Sequence, residues 1–228
     1  MLRTHWALVM TIRNVSMIFY GKRLLFLGAH PDDIELGAGA LIHNIGARSE
    51  ILCATLSDNQ KNPLLVNVVK EHRASMRVLG VPEDHDLIES FETRKFPDLR
   101  QEVLEYLLKL RREFKPQIVF CHSQNDIHQD HNVVTQEALR AYRGLTVLGF
   151  DVVRSSYNFF PHFLVEVTAE NVDAKIEALS QYKTYHDKYY FDPTLLRATM
   201  IRHGALAERD FAEGFDILRV VVKFDTCK

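Results

Sequence analysis

Short apolar runs that alternate with amphipathic stretches are the feature that most restricts the fold of this chain. Three of these runs have strand length: residues 24–29 (LLFLGA), 51–56 (ILCATL) and 118–121 (IVFC). Between the runs lie stretches with helical spacing, such as residues 64–79, where Gly80 ends the pattern. Strands that alternate with helices in this way predict right-handed crossovers and a mostly parallel sheet with helices on both faces.

The length and the order of these segments predict one domain. A chain of 228 residues is long enough to bury a single sizeable core. We expect a Rossmann-like three-layer α/β sandwich over residues 22–228, with a less regular C-terminal elaboration. Residues 1–21 are interpreted as an N-terminal extension or an edge segment.

The composition excludes several classes of protein. Twenty-eight Lys and Arg against 30 Asp and Glu give a formal charge of −2, so the basic excess of a nucleic-acid binder is missing. The three cysteines are an odd number without CxxC spacing, which favours free thiols and a cytoplasmic location. No apolar run reaches membrane-spanning length, and residues 6–12 (WALVMTI) lack the cleavage site of a signal peptide.

Two polar loops follow predicted strands at the point where such sheets bind ligands. Residues 30–35 (HPDDIE) come after the first strand, and residues 122–131 (HSQNDIHQDH) come after the strand at residues 118–121. Ligands of open α/β sheets lie outside the carboxyl ends of the strands. Both loops are rich in groups that bind metals or transfer protons, so we expect the functional site there.

The spacing within these loops suits a catalytic metal centre. Zinc is held by imidazole, carboxylate or thiolate groups, and a catalytic site has three protein ligands and a water. His128 and His131 are three residues apart and share one face of a helix. Asp32 and Asp33 point in different directions if their segment is extended, so one can bind the metal while the other faces the water. This set suits metal-assisted hydrolysis.

The two loops also resemble those of a known family. The segment AHPDDIELG at residues 29–37, followed by HQDH at residues 128–131, resembles the LmbE/PIG-L family of zinc-dependent N-deacetylases. The resemblance extends to residues 71–80 and to AEGF at residues 212–215. It covers most of the chain from about residue 22 onward.

The resemblance implies a zinc site and a base. His30, Asp33 and His131 match the zinc ligands of the family, with another divalent transition metal as the alternative to zinc. Asp32 matches the general base that activates the zinc-bound water.

The resemblance also implies two further catalytic roles. His128 matches the imidazole that, when protonated, stabilises the oxyanion of the tetrahedral intermediate. Asp130 matches the carboxylate that orients this histidine.

The chain departs from the family pattern where substrates are recognised. Gln129 replaces a frequent proline at a position that does not bind the metal. Asp126 stands where some mycothiol-pathway members have a tyrosine, and residues 182–185 (YKTY) replace a frequent His-x-Ser-Gln. The identity of the substrate therefore does not follow from the resemblance.

Other residues of the two loops have simpler interpretations. Glu35 is interpreted as a carboxylate that favours the start of a helix. His122 has a structural and a functional interpretation of equal weight. The glycines at 37 and 39 do not form a dinucleotide fingerprint, because Ile42 stands where the third glycine belongs.

The resemblance implies a hydrolase that removes an N-acetyl group from an amino-sugar conjugate. Two alternatives stay open: the same zinc site acting on another acyl amide or ester, and a metal-containing binding protein without turnover. The intact Asp32 and His128 argue against the second alternative. Relatives assemble into trimers or hexamers, so a homo-oligomer is expected.

Overall fold

The computed structural model describes residues 16–59 and 61–222, and one sheet forms its centre. The sheet has seven strands: β1 (Arg23–Gly28), β2 (Glu50–Thr55), β3 (Asp86–Ile88), β4 (Ile118–His122), β5 (Thr146–Phe150), β6 (Phe163–Glu166) and β7 (Ala212–Arg219). Their order in the sheet is β3-β2-β1-β4-β5-β7-β6. β1 to β5 pair in parallel, whereas β7 is antiparallel to both of its neighbours. The predicted mostly parallel sheet is therefore confirmed.

Helices cover both faces of this sheet. They are α1 (Ser16–Phe19), α2 (Asp33–Ile45), α3 (Val68–Val78), α4 (Arg100–Phe114), α5 (Gln129–Ala141), α6 (Ala169–Ser180) and α7 (Pro193–Leu206). Leu24 and Phe26 of β1 belong to a buried cluster with α2, α3 and α6, while Leu25 and Leu27 belong to one with α4 and α5. Because neighbouring side chains of β1 enter opposite cores, its run of apolar residues is continuous. This is the predicted three-layer α/β sandwich.

Three segments differ from the sequence-based expectation. The helix expected over residues 64–79 begins only at Val68, because Pro63–Leu65 form a separate 3-10 turn that Asn62 caps. The apolar run at residues 218–222 (LRVVV) predicts a closing strand, but the strand found there is β7, which begins at Ala212 and ends at Arg219. Helix α7, which packs against β7, was not predicted.

The N-terminal segment is described only at its end. Residues 1–15 lie outside the described residues, and α1 follows them. Phe19 in α1 is 1% exposed, and its ring centroid lies 5.9 Å from that of Phe120 and 6.1 Å from that of Phe163. The division into residues 1–21 and 22–228 stays a prediction.

Within the described ranges, none of the helices combines the length and apolarity that crossing a membrane requires.

Gly37 lets β5 approach the helix that begins at the functional loop. A Cβ atom at Gly37 would lie 2.2 Å from Cδ2 of Phe150, a side chain that is fully buried. We expect Gly37→Ala to lower the free energy of unfolding by about 1–3 kcal/mol, as overpacked cores do. Urea unfolding measures this change.

Gly46→Ala is the matched control, since Gly46 follows the same helix with φ −53°. Its Cβ would meet only the Ile42 carbonyl oxygen at 3.2 Å and the Leu79 carbonyl oxygen at 4.0 Å. Equal losses of stability in the two variants would show that the contact with Phe150 is not what constrains Gly37.

Candidate active site

The two polar loops meet at the carboxyl ends of β1 and β4. These strands are parallel neighbours, and the chain passes from β1 to β2 on one side before it returns to β4 on the other. A ligand crevice opens at such a point because the loops of the two strands diverge. His30 follows β1, and His128 caps the N-terminus of α5 after β4. The predicted site residues are therefore brought together.

Three predicted ligand atoms form a nearly equilateral triangle. His30 Nδ1 lies 3.5 Å from Asp33 Oδ2 and 3.3 Å from His131 Nε2, and the last two atoms are 3.4 Å apart. A tetrahedral ion with ligand distances of about 2.0–2.2 Å holds its ligand atoms about 3.3–3.6 Å apart. The arrangement thus fits one small divalent cation.

The site contains two further histidines whose ring nitrogens are engaged by the backbone. His and carboxylate atoms within 4.8 Å of one another form two overlapping groups, His30–His128–His131 and Asp33–His122–His131. The predicted triad takes its members from both groups. His122 Nε2 accepts from the backbone N–H of Ala29 at 3.1 Å, and His128 Nδ1 accepts from the N–H of Asp130 at 3.2 Å. His122 therefore has a structural role in this arrangement, and its ring stacks on that of His131.

Buried carboxylates orient both histidines of the triangle. His131 Nδ1 contacts Asp126 Oδ2 at 2.8 Å, and His30 Nε2 contacts Asp130 Oδ2 at 3.0 Å. Each contact places a proton on the outer nitrogen, which leaves the nitrogen in the triangle free to bind a metal. Such carboxylate–histidine pairs are the usual second shell of metal sites.

The structure differs from the expected partnership of Asp130 and His128. The Asp130 carboxylate contacts His30 and also accepts from the backbone N–H of Arg94 at 2.6 Å. The hydrogen bond of Asp130 to the His128 ring comes from its backbone N–H and not from its carboxylate. Because His128 Nδ1 accepts this bond, it carries no proton. The geometry therefore favours a neutral ring with its proton on Nε2. Burial and the neighbouring histidines likewise lower the pKa of His128 to about 4.

Asp32 occupies a backbone conformation that L-residues rarely adopt. Its φ is +99°, and it precedes α2 without using its side chain as a cap. Non-glycine residues in this region cost roughly 1–3 kcal/mol and cluster at functional sites. Burial and the negative charges of Asp33 and Glu35 raise the pKa of Asp32 well above its usual value. A strained, buried carboxylate thus stands beside the triangle.

Close contacts within the triangle shift the pKa values of Asp33 and His30 in opposite directions. Burial alone would raise the pKa of Asp33, but the neighbouring His131, His122 and His30 hold it below its usual value. Burial would lower the pKa of His30, but Asp130 and Asp33 raise it to about 9. The proton that His30 then carries occupies the place of a bound metal, because metal ligands must be deprotonated.

A cleft of about 610 Å³ opens onto the triangle. This volume lies within the range of small-molecule sites. Pro63, Leu65, Val152, Tyr185 and Tyr190 give it an apolar wall. The triangle therefore borders a cleft of a size that small-molecule ligands occupy.

Behind Asp32 lies a buried polar cluster that the sequence did not reveal. Tyr182 Oη donates to Glu35 Oε1 at 2.6 Å and lies 2.8 Å from His72 Nδ1, whose Nε2 contacts Asp86 Oδ1 at 3.0 Å. Glu35 lies in the first turn of α2, as expected, but it is fully buried and belongs to this cluster as well. Glu35 and Tyr182 are 147 positions apart, and no local pattern links them.

Comparison with known families identifies the group to which these loops belong. The family model PIG-L, described as GlcNAc-PI de-N-acetylase, matches residues 25–142, which is just over half of the chain. The chain belongs to the PIG-L family. The matched region contains every residue of the triangle, together with Asp32, His128 and Asp130. PIG-L membership supports a hydrolytic deacetylase.

Individual relatives agree with this assignment. The chain is 28% identical to the uncharacterized deacetylase YaiS of Escherichia coli (strain K12) over 170 residues, 72% of this chain and 91% of that protein. It is 26% identical to 1D-myo-inositol 2-acetamido-2-deoxy-alpha-D-glucopyranoside deacetylase of Salinispora arenicola (strain CNS-205) over 180 residues, 64% of this chain and 58% of that protein.

A solved structure shows the same fold. The N,N'-diacetylchitobiose deacetylase of Pyrococcus horikoshii matches with a TM-score of 0.72 at 19% identity, over 86% of this chain and 84% of that one. At this identity the likeness concerns the fold. The expected α/β class is confirmed.

Proposed function

We propose that this protein is a metal-dependent hydrolase that removes an N-acetyl group from an amino-sugar conjugate. The observation that carries the proposal is the triangle of His30 Nδ1, Asp33 Oδ2 and His131 Nε2 with the strained carboxylate of Asp32 beside it. Water is added across the amide, the C–N bond breaks, and acetate and a free amine are formed.

The donor set fits zinc. Two imidazole nitrogens and one carboxylate oxygen at these spacings are a common zinc set, and a second shell is in place for both histidines. Another divalent transition metal is the alternative. When bound, such an ion lowers the pKa of a coordinated water and polarises a carbonyl group. It also supplies the positive charge that lets Asp32 and Asp33 ionise together.

Asp32 is the general base of this proposal. Its carboxylate makes no hydrogen bond that would commit it to the fold of the described region, and it lines the cleft. It takes a proton from the attacking water and later delivers that proton to the leaving amine. The left-handed backbone directs the side chain toward the substrate instead of toward the helix N-terminus.

His128 stabilises the oxygen of the acetyl group. Its Nδ1 accepts a backbone N–H, so the Nε2–H is the donor that remains. The ring lies beside the triangle, with centroids 4.9 Å from His30 and 4.4 Å from His131. The hydrogen bond from a neutral donor that is held in place in this way strengthens as negative charge develops on the oxygen. Asp130 acts as a positioning residue for His30.

Family membership and the names of relatives support the amino sugar as the substrate class. Two relatives are named as deacetylases of N-acetylated sugars. The same site acting on another acyl amide or an ester is the alternative reaction. A binding protein without turnover would have no use for a strained base in the cleft.

Free-amine release from a panel of N-acetylglucosamine derivatives tests the proposal. The zinc-loaded protein should release amine and acetate in equal amounts from at least one member, with the Asp32→Asn variant as the blank. Hydrolysis of esters alone would favour the alternative reaction. If no substrate released amine although one zinc was bound per chain, the result would contradict the proposed activity.

We expect Asp126 to raise the metal affinity of the proposed site. Asp126→Asn removes the charge that its carboxylate presents to His131 Nδ1 and keeps the shape of the side chain. Loss of such a partner lowers metal affinity by about 10–100-fold. Titration against a chromophoric chelator measures the affinity. The exposed Asp98→Asn is the control. Equal metal affinities in both variants would show that Asp126 does not support His131 as a metal ligand.

The oligomer and the cellular location stay predictions. We propose a cytoplasmic enzyme, on the cysteine pattern, that assembles into a trimer or hexamer, on the sequence resemblance. Light scattering on the purified protein gives the mass that decides the oligomeric state.

A further inference from the structure

Positive charge is concentrated on the walls of the cleft. The whole chain has a formal charge of −2, yet Lys61, Arg94, Arg154 and Lys188 all line this cleft. Lys61 pairs with Glu92. No carboxylate of the described ranges forms an ion pair with the other three, which therefore present their charge to whatever enters the cleft.

Arg154 is the most strongly organised of these cations. Its Nη1 donates to Tyr190 Oη at 3.1 Å, and its Cζ lies 5.2 Å from the centroid of that ring. A phenol holds the guanidinium in place without neutralising it. Arg154 lines the same cleft as Asp32 and Asp33.

Arg94 stands on a fixed point of the backbone. Its φ is +69°, its N–H donates to Asp130, and its carbonyl oxygen accepts from the Gln129 side chain at 2.6 Å. The backbone of Arg94 is therefore anchored to the same carboxylate that orients His30, and its side chain lines the cleft. Lys188, two residues before Tyr190, adds a third charge at the cleft.

A neutral sugar would offer no ion-pair partner to these three cations of the cleft. The planar fork of an arginine matches the paired oxygens of phosphate and carboxylate groups. Aromatic side chains such as Tyr185 and Tyr190 supply an apolar surface against which a sugar ring packs. The walls thus combine a surface for a sugar with a site for an anion.

We propose that the substrate carries, beside its N-acetyl group, an anionic group, either phosphate or carboxylate, that binds Arg154 while Lys188 and Arg94 strengthen the positive field. This inference rests on the proposed function, because it names the class of substrate for the same site. It rests on residues 94, 154 and 188 of this chain, two of which lie outside the part that the family model matches.

Calorimetric binding to the metal-free protein tests the anion site without turnover and without direct binding of phosphate to a metal. The probes are N-acetylglucosamine, its 1-phosphate and 6-phosphate, and N-acetylmuramic acid for the carboxylate. At least one anionic sugar should bind about tenfold or more tightly than the neutral one, and its affinity should fall as salt rises. The phosphate and carboxylate probes distinguish the two sources of the anion.

Arg154→Gln should weaken binding of the preferred anionic sugar by about tenfold, the usual effect of losing one charge-assisted hydrogen bond. It should leave binding of the neutral sugar within about twofold. Arg202→Gln, an exposed position on α7 away from the cleft, is the matched control for loss of one positive charge. Lys188→Gln and Arg94→Gln should each have a smaller effect in the same direction.

The proposal is overturned if no anionic sugar binds more than threefold tighter than the neutral one. It is also overturned if Arg154→Gln and Arg202→Gln have the same effect. Deacetylation of neutral and anionic sugars at equal rates would contradict this inference and leave the proposed function intact. Tight binding of an anionic sugar without amine release would instead contradict the proposed function alone.

Discussion

The Asp32→Asn variant is expected to bind one metal per chain and to lose turnover by about 100-fold or more. An amide in place of the carboxylate cannot take the proton of the attacking water, and a general base contributes about 10²–10⁴-fold to such a reaction. Asparagine tolerates the left-handed backbone at φ +99°, so this variant is preferable to alanine. Steady-state kinetics and metal analysis on the same sample measure both quantities.

The exposed Asp98→Asn makes the same chemical change outside the lining of the cleft and should behave as the wild type. Turnover of Asp32→Asn within a few-fold of that control would remove Asp32 from the role of base. Loss of the metal together with turnover would instead assign Asp32 to metal binding.

Removal of the metal is expected to abolish turnover, and one equivalent of a divalent ion per chain should restore it. The three donor atoms lie 3.3–3.5 Å apart, which suits one ion and no more. His131→Gln should lower metal affinity by more than about 100-fold, because losing even the outer partner of a ligand costs 10–100-fold. Dialysis against a chelator, followed by titration with zinc, cobalt or manganese, measures both effects.

His131 is buried and stacks on His122, so the variant also needs a test of folding. Asp33→Asn is the second variant, since it keeps the shape of the side chain and removes the charge. Full metal stoichiometry in both folded variants would show that the triangle is not the metal site.

The sequence predicted that the candidate site residues lie together, because the information for their placement is local. His30 and Asp33 follow one strand, and His128 and His131 share the start of one helix, so their spacing alone brings them to one edge of the sheet. The orientation of the side chains could not be predicted from the sequence in the same way. Residue spacing does not say that the Asp130 carboxylate turns toward His30, because that contact joins residues 100 positions apart.

Two features of the fold, helix α7 and the direction of β7, could not be predicted from local sequence patterns. Helix α7 buries Leu196, Met200 and His203 on one face, but it also carries the exposed apolar Leu195 and Ile201. These exposed residues obscure the helical period that would have revealed it. The reversed direction of β7 likewise depends on pairing with β5 and β6, and no pattern within β7 itself encodes it.

The residues that line the cleft come from two parts of the chain, one before and one after β5. All the groups that would hold the metal or move protons come from residues 30–131, whereas the tyrosine wall and Arg154 come from residues after β5. Substitutions in the later part can therefore change what the cleft accepts without disturbing the bond-breaking groups. Swapping residues 183–190 between relatives is a direct route to altered substrate choice in this architecture.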